Sequence, residues 1–498
     1  MPVSTPTHRS TARSASMTTL ALPLLAPRAA LVRAGRATAL AGAALGMWFA
    51  TPGWPTDQRI VVIALAAASA AWIATTIDDT VIALVAVTAL ALSGALPTAD
   101  LFNALGHPTI WLLIGSCMIA AGLTASGVAK RVALRVVAGS RSVRGLWYRM
   151  SIALILSTFA VPSTSGRAAL ALPIFRTLAG VMPRGHQVAL SLLVPAVILL
   201  SAFGSILGAG AHLIAASLVE ATTGTRMSFL WWLLLGAPVA VVSSFATCEV
   251  ILLRFLSRED RRLDVTPVAA ALAGAGRRGR FSAAELRSLA TLGVVIALWL
   301  SEPLHGIDPA LIALAGGVVA VVPGLGTVAS KQAFAQVPWQ LLLFLATTIA
   351  LGSALVQTGA AQRIADATLG SLAGARPALV LVAIVVISAA AHLVVQSRSA
   401  RATVLLPIVL SIAAGAGINP VSAALASTAA AGFCLTLTSS AKPVTMFSDV
   451  PGIATFDRPR LLALAGMTAP LVIGLVLLCA AWFWPLLGVP FLSPVGIR

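Results

Sequence analysis

The sequence predicts an all-α membrane protein of about 11 transmembrane helices plus two re-entrant hairpins, arranged as two inverted repeats. Three observations predict it. First, 59% of the 498 residues are hydrophobic and only 10% are charged, with a mean hydropathy of +0.98. A soluble domain carries roughly a quarter charged residues, so this chain cannot cover its surface in water. Second, apolar runs recur at about the 20-residue length that crosses a bilayer. Third, two long apolar runs are interrupted in mid-course by polar sequences that match each other.

Taken in order, residues 1–36 are rich in Ser, Thr, Ala and Arg and hold no acid. That composition resembles a transit peptide, and we read it as a disordered cytoplasmic tail. The run Thr18–Ala26 is too short to span, and Met17 is a second candidate start. Candidate spans follow near 37–53, 59–77, 79–96, 108–127, 187–220, 227–253, 289–304, 308–324, 338–358, 420–447 and 461–487. The stretches 151–182 and 377–418 are broken by Pro162-Ser163-Thr164-Ser165-Gly166-Arg167 and Gln396-Ser397-Arg398-Ser399-Ala400-Arg401. Each reads as two short helices joined by a polar tip. Polar backbone at membrane depth is tolerated only where protein or a water-filled cavity surrounds it.

Loops set the orientation. Segment 128–149 reads as a loop holding Lys130, Arg131, Arg135, Arg141, Arg144 and Arg149 with no acid, and 254–287 holds eight Arg against four acids. Positive loops stay cytoplasmic. One hairpin and two spans separate them, so both fall on one side. Counting outward puts the N-terminus inside, the C-terminus outside, and the loop 359–376 outside. The net charge of +18 is therefore loop charge and no signature of nucleic-acid binding. Cys117, Cys248, Cys434 and Cys479 lie in apolar runs without a CxxC and read as small fillers. No zinc motif, P-loop or dinucleotide fingerprint is present.

The chain repeats itself. Ser163 through Ile174 aligns without gaps with Ser397 through Ile408, and Trp111 and Gly127 find counterparts in Trp339 and Gly359 at nearly the same offset. By the topology count the hairpins enter from opposite sides, so the repeats are inverted. Inverted repeats with broken helices are a carrier architecture with its site at the midplane. Half-helix N-termini offer free N–H groups and a partial positive charge, which suits an anion. A second broken element follows each hairpin: Gly204-Ser205-Ile206-Leu207-Gly208-Ala209-Gly210-Ala211-His212 and Thr436-Leu437-Thr438-Ser439-Ser440-Ala441-Lys442-Pro443. The chain thus divides into a tail 1–36, N-terminal scaffold helices 37–107, a first repeat 108–256, a basic loop 257–288, linking helices 289–337, a second repeat 338–487, and a tail 488–498.

These residues resemble the divalent anion/sodium symporter family, carriers of di- and tricarboxylates and sulfate. In that family each hairpin tip carries Ser-Asn-Thr followed by Leu-Pro-Ile. Here the tips are Ser163-Thr164-Ser165 with Leu172-Pro173-Ile174, and Ser397-Arg398-Ser399 with Leu406-Pro407-Ile408. The resemblance covers about residues 55–490. It implies substrate binding at Ser163, Thr164, Ser165, Ser397, Arg398 and Ser399, an elevator motion, a homodimer and an inner-membrane location. No cofactor is expected, and the candidate coupling ions are Na+ and H+. The family's Thr-Pro-Pro-Asn segments, which help bind sodium, fall at Gly208–His212 and Ser439–Lys442. The motif asparagines are replaced by Thr164, Arg398, His212 and Lys442. Three of these four can be cationic, which argues against sodium coupling and makes Gly208, His212, Ser439, Ser440 and Lys442 the coupling candidates.

The charged residues need reasons, because a charge in mid-membrane costs several kcal/mol. Arg398 reads as a guanidinium that grips a carboxylate or sulfate, or as a fixed cation in a sodium site. Arg167 and Arg401, at matching positions, either face the cavity or brace the tip; Thr438 reads as a supporting hydroxyl. His212 is a candidate proton carrier, and His392 reads as structural. Asp78 and Asp79 read as caps, and Asp449 as a partner for Lys442 or Arg398. Rival readings are a carrier of another ion, such as arsenite or a cation antiporter, a degenerate carrier turned scaffold or sensor, and an intramembrane serine hydrolase. The shortage of mid-membrane carboxylates argues against cations. The hydrolase lacks its Gly-x-Ser-Gly, since Ser163 stands where Gly is needed.

Overall fold

The computed structural model describes residues 46, 48, 51–75, 77–266, 280–364, 366 and 375–493. The tail 1–36, most of the expected span 37–53, and parts of the loops and C-terminal tail lie outside the described residues. Regular structure among the described residues is helical, with two isolated β-bridges, Ser142 to Asp264 and Ile418 to Leu492. Among the described residues eight helices are long and apolar enough to cross a membrane, and four shorter apolar helices accompany them.

The first described helix is α1, Thr56–Ala74. Helix α2, Asp79–Leu92, starts where Asp78 accepts a hydrogen bond from the Thr80 N–H at 2.9 Å. Helix α3, Pro108–Ser126, stops at Gly127, whose φ of +77° suits glycine. The expected basic loop 128–149 is instead largely helical. Helix α4, Val128–Ala138, buries Val128, Arg131, Leu134 and Val137 on one face. Spacings of three residues put these on one side of a helix, with the remaining charges on the other.

The first hairpin is wider than the 151–182 read from the sequence. Helix α5, Val143–Ala160, begins upstream because the Ser142 hydroxyl caps it, accepting from the Gly145 N–H at 3.1 Å. It ends at Val161 because the residue before a proline is driven out of the helical region, and Val161 is extended. Helix α6, Thr164–Ala179, returns from the tip. Helix α7, Arg184–Ser201, then breaks into two 3₁₀ turns, Ala202–Gly204 and Ile206–Gly208, before α8 resumes at Gly210–Thr223. The break needs glycine: a Cβ on Gly208 would lie 1.9 Å from the Ala202 carbonyl oxygen.

Helix α9, Phe229–Phe255, closes the first half. Helix α10, Ala283–Leu300, opens with a Ser282/Glu285 capping box, and α11, Pro309–Val321, follows. In the second half, α12 is Trp339–Gln357. The hairpin pairs α13, Pro377–Ala390, with α14, Arg398–Gly415. The second broken pair is α15, Pro420–Ala431, and α16, Lys442–Ser448, and α17 is Arg458–Leu478.

Packing ties the halves together. Helices α3 and α11 cross backbone to backbone: a Cβ on Gly115 would lie 2.4 Å from the Ala313 carbonyl. Small residues permit such approaches between membrane helices. The broken helix of each half packs on the hairpin of the other, α8 on α14 and α16 on α6. Large apolar side chains such as Leu92, Val85 and Trp482 remain exposed, which a lipid surround accommodates.

Candidate anion-binding site

Both hairpin tips are built as capped helix N-termini. The Ser163 hydroxyl accepts from the Gly166 N–H at 3.3 Å, and its carbonyl accepts from the Arg167 N–H at 2.9 Å. Ser397 repeats this with the Ala400 N–H at 3.3 Å and the Arg401 N–H at 3.0 Å. The N–H groups of Thr164 and Ser165, and of Arg398 and Ser399, begin their helices and have no intrahelical acceptor. The capping serines keep a hydroxyl proton to donate. These tip residues are partly buried rather than sealed.

The second tip lies against the first broken helix. A Cβ on Gly210 would come within 3.0 Å of the Ser399 hydroxyl. Arg398 points inward: its Nη2 would lie 3.1 Å from a Cβ on Gly432, just past the C-terminus of α15. Its Nη1 is buried without a hydrogen-bond partner among the described residues. Arg398, Arg167 and His212 lie within Coulombic reach of one another, and Arg401 within reach of Arg398. The ion pairs among the described residues are Arg131–Glu285, Arg144–Glu249, Arg226–Asp308 and Arg460–Asp457, all elsewhere. The inner cluster is therefore cationic with no carboxylate paired to it.

The two matched arginines differ in detail. Arg167 braces its tip: Nη1 donates to the hydroxyls of Thr158 and Ser201, and Nη2 to the Ile198 carbonyl at 2.7 Å. It ties both arms of the hairpin region to the end of α7. Arg401, fully buried, donates one bond of 2.9 Å to the Cys434 sulfur and leaves Nε and Nη1 unpartnered. His392 sits at the position matching Thr158 and is committed on both ring nitrogens, to the Ala389 carbonyl and the Thr436 hydroxyl. His212 is fully buried, with Nδ1 at 2.9 Å from the Ser205 carbonyl and its ring among Phe203 and Trp232. Nε2 has no partner.

The remaining candidates separate. Lys442 is exposed at the start of α16, and Ser440 is buried in a turn, its hydroxyl accepting from the Leu437 N–H at 2.9 Å. Thr438 and Ser439 are exposed, and the Thr438 carbonyl accepts from Thr445. Asp449 is exposed and makes no ion pair among the described residues, which corrects its expected pairing with Lys442 or Arg398. It lies on extended backbone beyond α16, out of helical register with Lys442. The acid near Lys442 is Asp79, whose carboxylate also approaches the Ser397 hydroxyl. Asp78 caps α2, whereas Asp79 faces the second tip. No short-range sequence signal connects Asp79 to a tip more than 300 residues away. Among the described residues no group of three His, Cys, Asp or Glu is placed to hold a metal ion.

Comparison with known proteins gives this arrangement a context. The model of the sodium:sulfate symporter transmembrane region matches residues 39–489. A membrane protein of Cupriavidus necator is 26% identical over 395 residues, covering 76% of this chain and 74% of that protein. The citrate/succinate antiporter of Escherichia coli K12 is 25% identical over 324 residues, covering 62% of this chain and 64% of the antiporter, a little under two thirds of its length. The crystal structure of the Alcanivorax borkumensis YdaH transporter superposes with a TM-score of 0.51 at 16% identity, covering 80% of this chain and 89% of that one, a likeness of fold alone. With the family model matching residues 39–489, from before the first described helix to beyond α17, the chain belongs to the sodium:sulfate symporter family and is a membrane transporter of small anions.

Proposed function

We propose that this transporter exchanges di- or tricarboxylates, or a sulfate-like dianion, held between the two hairpin tips. The observation that carries the reading is the Arg398 guanidinium at the capped start of α14, its Nη1 buried without a hydrogen-bond partner among the described residues and its charge within Coulombic reach of Arg167 behind the first tip. A buried charge without a counterion costs several kcal/mol. A bound dianion would offset that cost, with charge-assisted hydrogen bonds from Arg398 and the tip N–H and hydroxyl groups. The similar Escherichia coli protein is named a citrate/succinate antiporter, which supports both the substrate class and exchange.

Coupling follows from the same residues. In broken-helix carriers, half-helix C-termini and unwound carbonyls hold the coupling cation. Here the Arg398 guanidinium lies at the C-terminus of α15, where the helix dipole favours positive charge. A fixed cation there removes the place for sodium, and Lys442 extends that logic to the second broken element. His212 is enclosed by aromatic rings, so it serves the packing rather than a proton path. We further read the motion as an elevator, the assembly as a homodimer, the location as the inner membrane and the N-terminus as cytoplasmic.

The test is counterflow in proteoliposomes. Labelled succinate or citrate should enter only when the lumen holds unlabelled dianion, at the same rate with or without a sodium gradient. A strict sodium requirement would overturn the fixed-cation reading. Uptake of arsenite in place of every dianion tested would overturn the substrate class.

A further inference from the structure

Beside the anion site the structure holds an apolar cavity of about 480 Å³ between α4, both arms of the first hairpin, α9 and α10. That volume falls in the range of about 300–1,000 Å³ typical of small-molecule sites. Ala133, Ala153, Leu156 and Leu300 are among its lining. Leu156 is 52% and Leu300 39% exposed, so the cavity opens to the lipid-facing surface. An apolar cavity does not hold water well. In a bilayer the apolar matter next to such an opening is an acyl chain.

The polar residues of the lining are Lys130, Ser157 and Arg167, and the Ser157 hydroxyl is committed to the Leu154 carbonyl. Lys130 on α4 is exposed and without an ion pair among the described residues. Its neighbours are committed. Arg131 bridges to Glu285 at 2.5 Å, and Arg131 and Arg135 lie over the Phe281 ring at 4.8 and 4.3 Å. These contacts pin α4 to the start of α10 and leave Lys130 facing the opening. Arg167 has its Nη atoms bonded to Thr158, Ser201 and Ile198, none of which lines the cavity. The cavity thus touches both a cation on a basic amphipathic helix and the residue that braces the first tip.

We infer that this cavity is a binding site for an anionic phospholipid, its phosphate on Lys130 and one acyl chain between the first hairpin and α10. Charge selects the headgroup: the segment 128–149 carries six basic residues and no acid, the pattern that attracts anionic lipids. Apolar lining selects the chain over a free phosphate or a soluble anion. A lipid seated there contacts both α10 and the hairpin arms that carry Ser163, so its headgroup class sets the rate of any movement between them.

Native mass spectrometry of the purified full-length protein tests this without relying on transport. The probes are palmitoyl-oleoyl phosphatidylglycerol and the matching phosphatidylcholine. Wild type should retain one phosphatidylglycerol about fivefold more than phosphatidylcholine, the preference one lysine gives. Lys130→Glu, at an exposed position, should lose that preference. Ala153→Trp, which fills the cavity, should retain neither lipid. Should it fail to fold, Ala133→Leu on α4 narrows the same cavity and should lower retention of both. Equal retention of the two lipids by wild type overturns the proposal, as does unchanged phosphatidylglycerol retention in Lys130→Glu or in both cavity variants. Phosphatidylglycerol retention by protein that carries out no succinate counterflow would leave the lipid site standing and overturn the exchange reading alone.

Discussion

Replacing Arg398 with Asn separates a substrate-binding arginine from a structural one, because the two roles predict opposite signs for stability. Among the described residues Nη1 of Arg398 is buried without a partner, and no ion pair offsets its charge. Arginine near the centre of a membrane helix costs about 2.5–3.5 kcal/mol on insertion scales. Part of that is recovered at the C-terminus of α15, where a helix end gives a cation about 0.3–1 kcal/mol. The substrate-free variant should therefore be more stable by about 2 kcal/mol, seen as a raised Tm in detergent. Substrate binding should move the other way. A hydrogen bond to a charged group contributes about 1.5–3 kcal/mol, so affinity for succinate or citrate should fall by about ten- to a hundredfold. Thermal shift and binding titration on the same preparation read both quantities. Unchanged affinity, or weaker binding together with a lower Tm, would refute the reasoning and make Arg398 a structural residue.

Arg167 should behave in the opposite way: Arg167→Gln strands the Thr158 and Ser201 hydroxyls and the Ile198 carbonyl, each unsatisfied buried group costing about 1–3 kcal/mol, and should lower Tm in thermal unfolding. The Arg226–Asp308 pair joins the loop before α9 to the start of α11 but is largely exposed. Asp308 also caps α11 by accepting from the Ala310 N–H at 2.7 Å. Asp308→Asn keeps the cap and should cost under about 1 kcal/mol, whereas Asp308→Ala loses both and should cost about 1–2 kcal/mol. Asp260, in the loop after α9, is held below its ordinary 3.8 by the Ser257 hydroxyl and N–H. A depressed carboxylate stabilises fully above its unfolded value and loses that contribution as pH falls through the lower folded one. Protection factors at residues 257–263, referred to the intrinsic exchange rate at each pH, should stay constant down to about pH 4 and fall below it, and Ser257→Ala should lower the protection above pH 4 and shrink that fall.

Much of the architecture was legible because membrane folding writes strong local signals. Pro162 after Val161, and serines at 163 and 397, announce a helix stop and two helix starts within apolar stretches. Gly208 and the small residues around it announce a break that no larger side chain fits. Other features were masked by the same composition. The six basic residues of 128–149 suggested a loop, although Val128, Leu134 and Val137 at helical spacing carried the signal for α4. Asp449 looked like the partner of Lys442 because it is near in sequence, while the acid that approaches Lys442 is Asp79. Arg167 and Arg401 looked equivalent, yet one is bonded through both Nη atoms and the other through a single contact to sulfur.

By itself the amino-acid sequence determined that the chain lives in a membrane, that it doubles back twice through polar tips, and that its halves repeat. Those follow from hydropathy, prolines and caps, which act over a few residues. Only the tertiary structure decided which cations stand unpaired among the described residues, which acid faces the second tip, and that an apolar cavity lies between the first hairpin and α10. Charges and cavities are properties of what surrounds a side chain, and here the surroundings come from helices hundreds of residues apart.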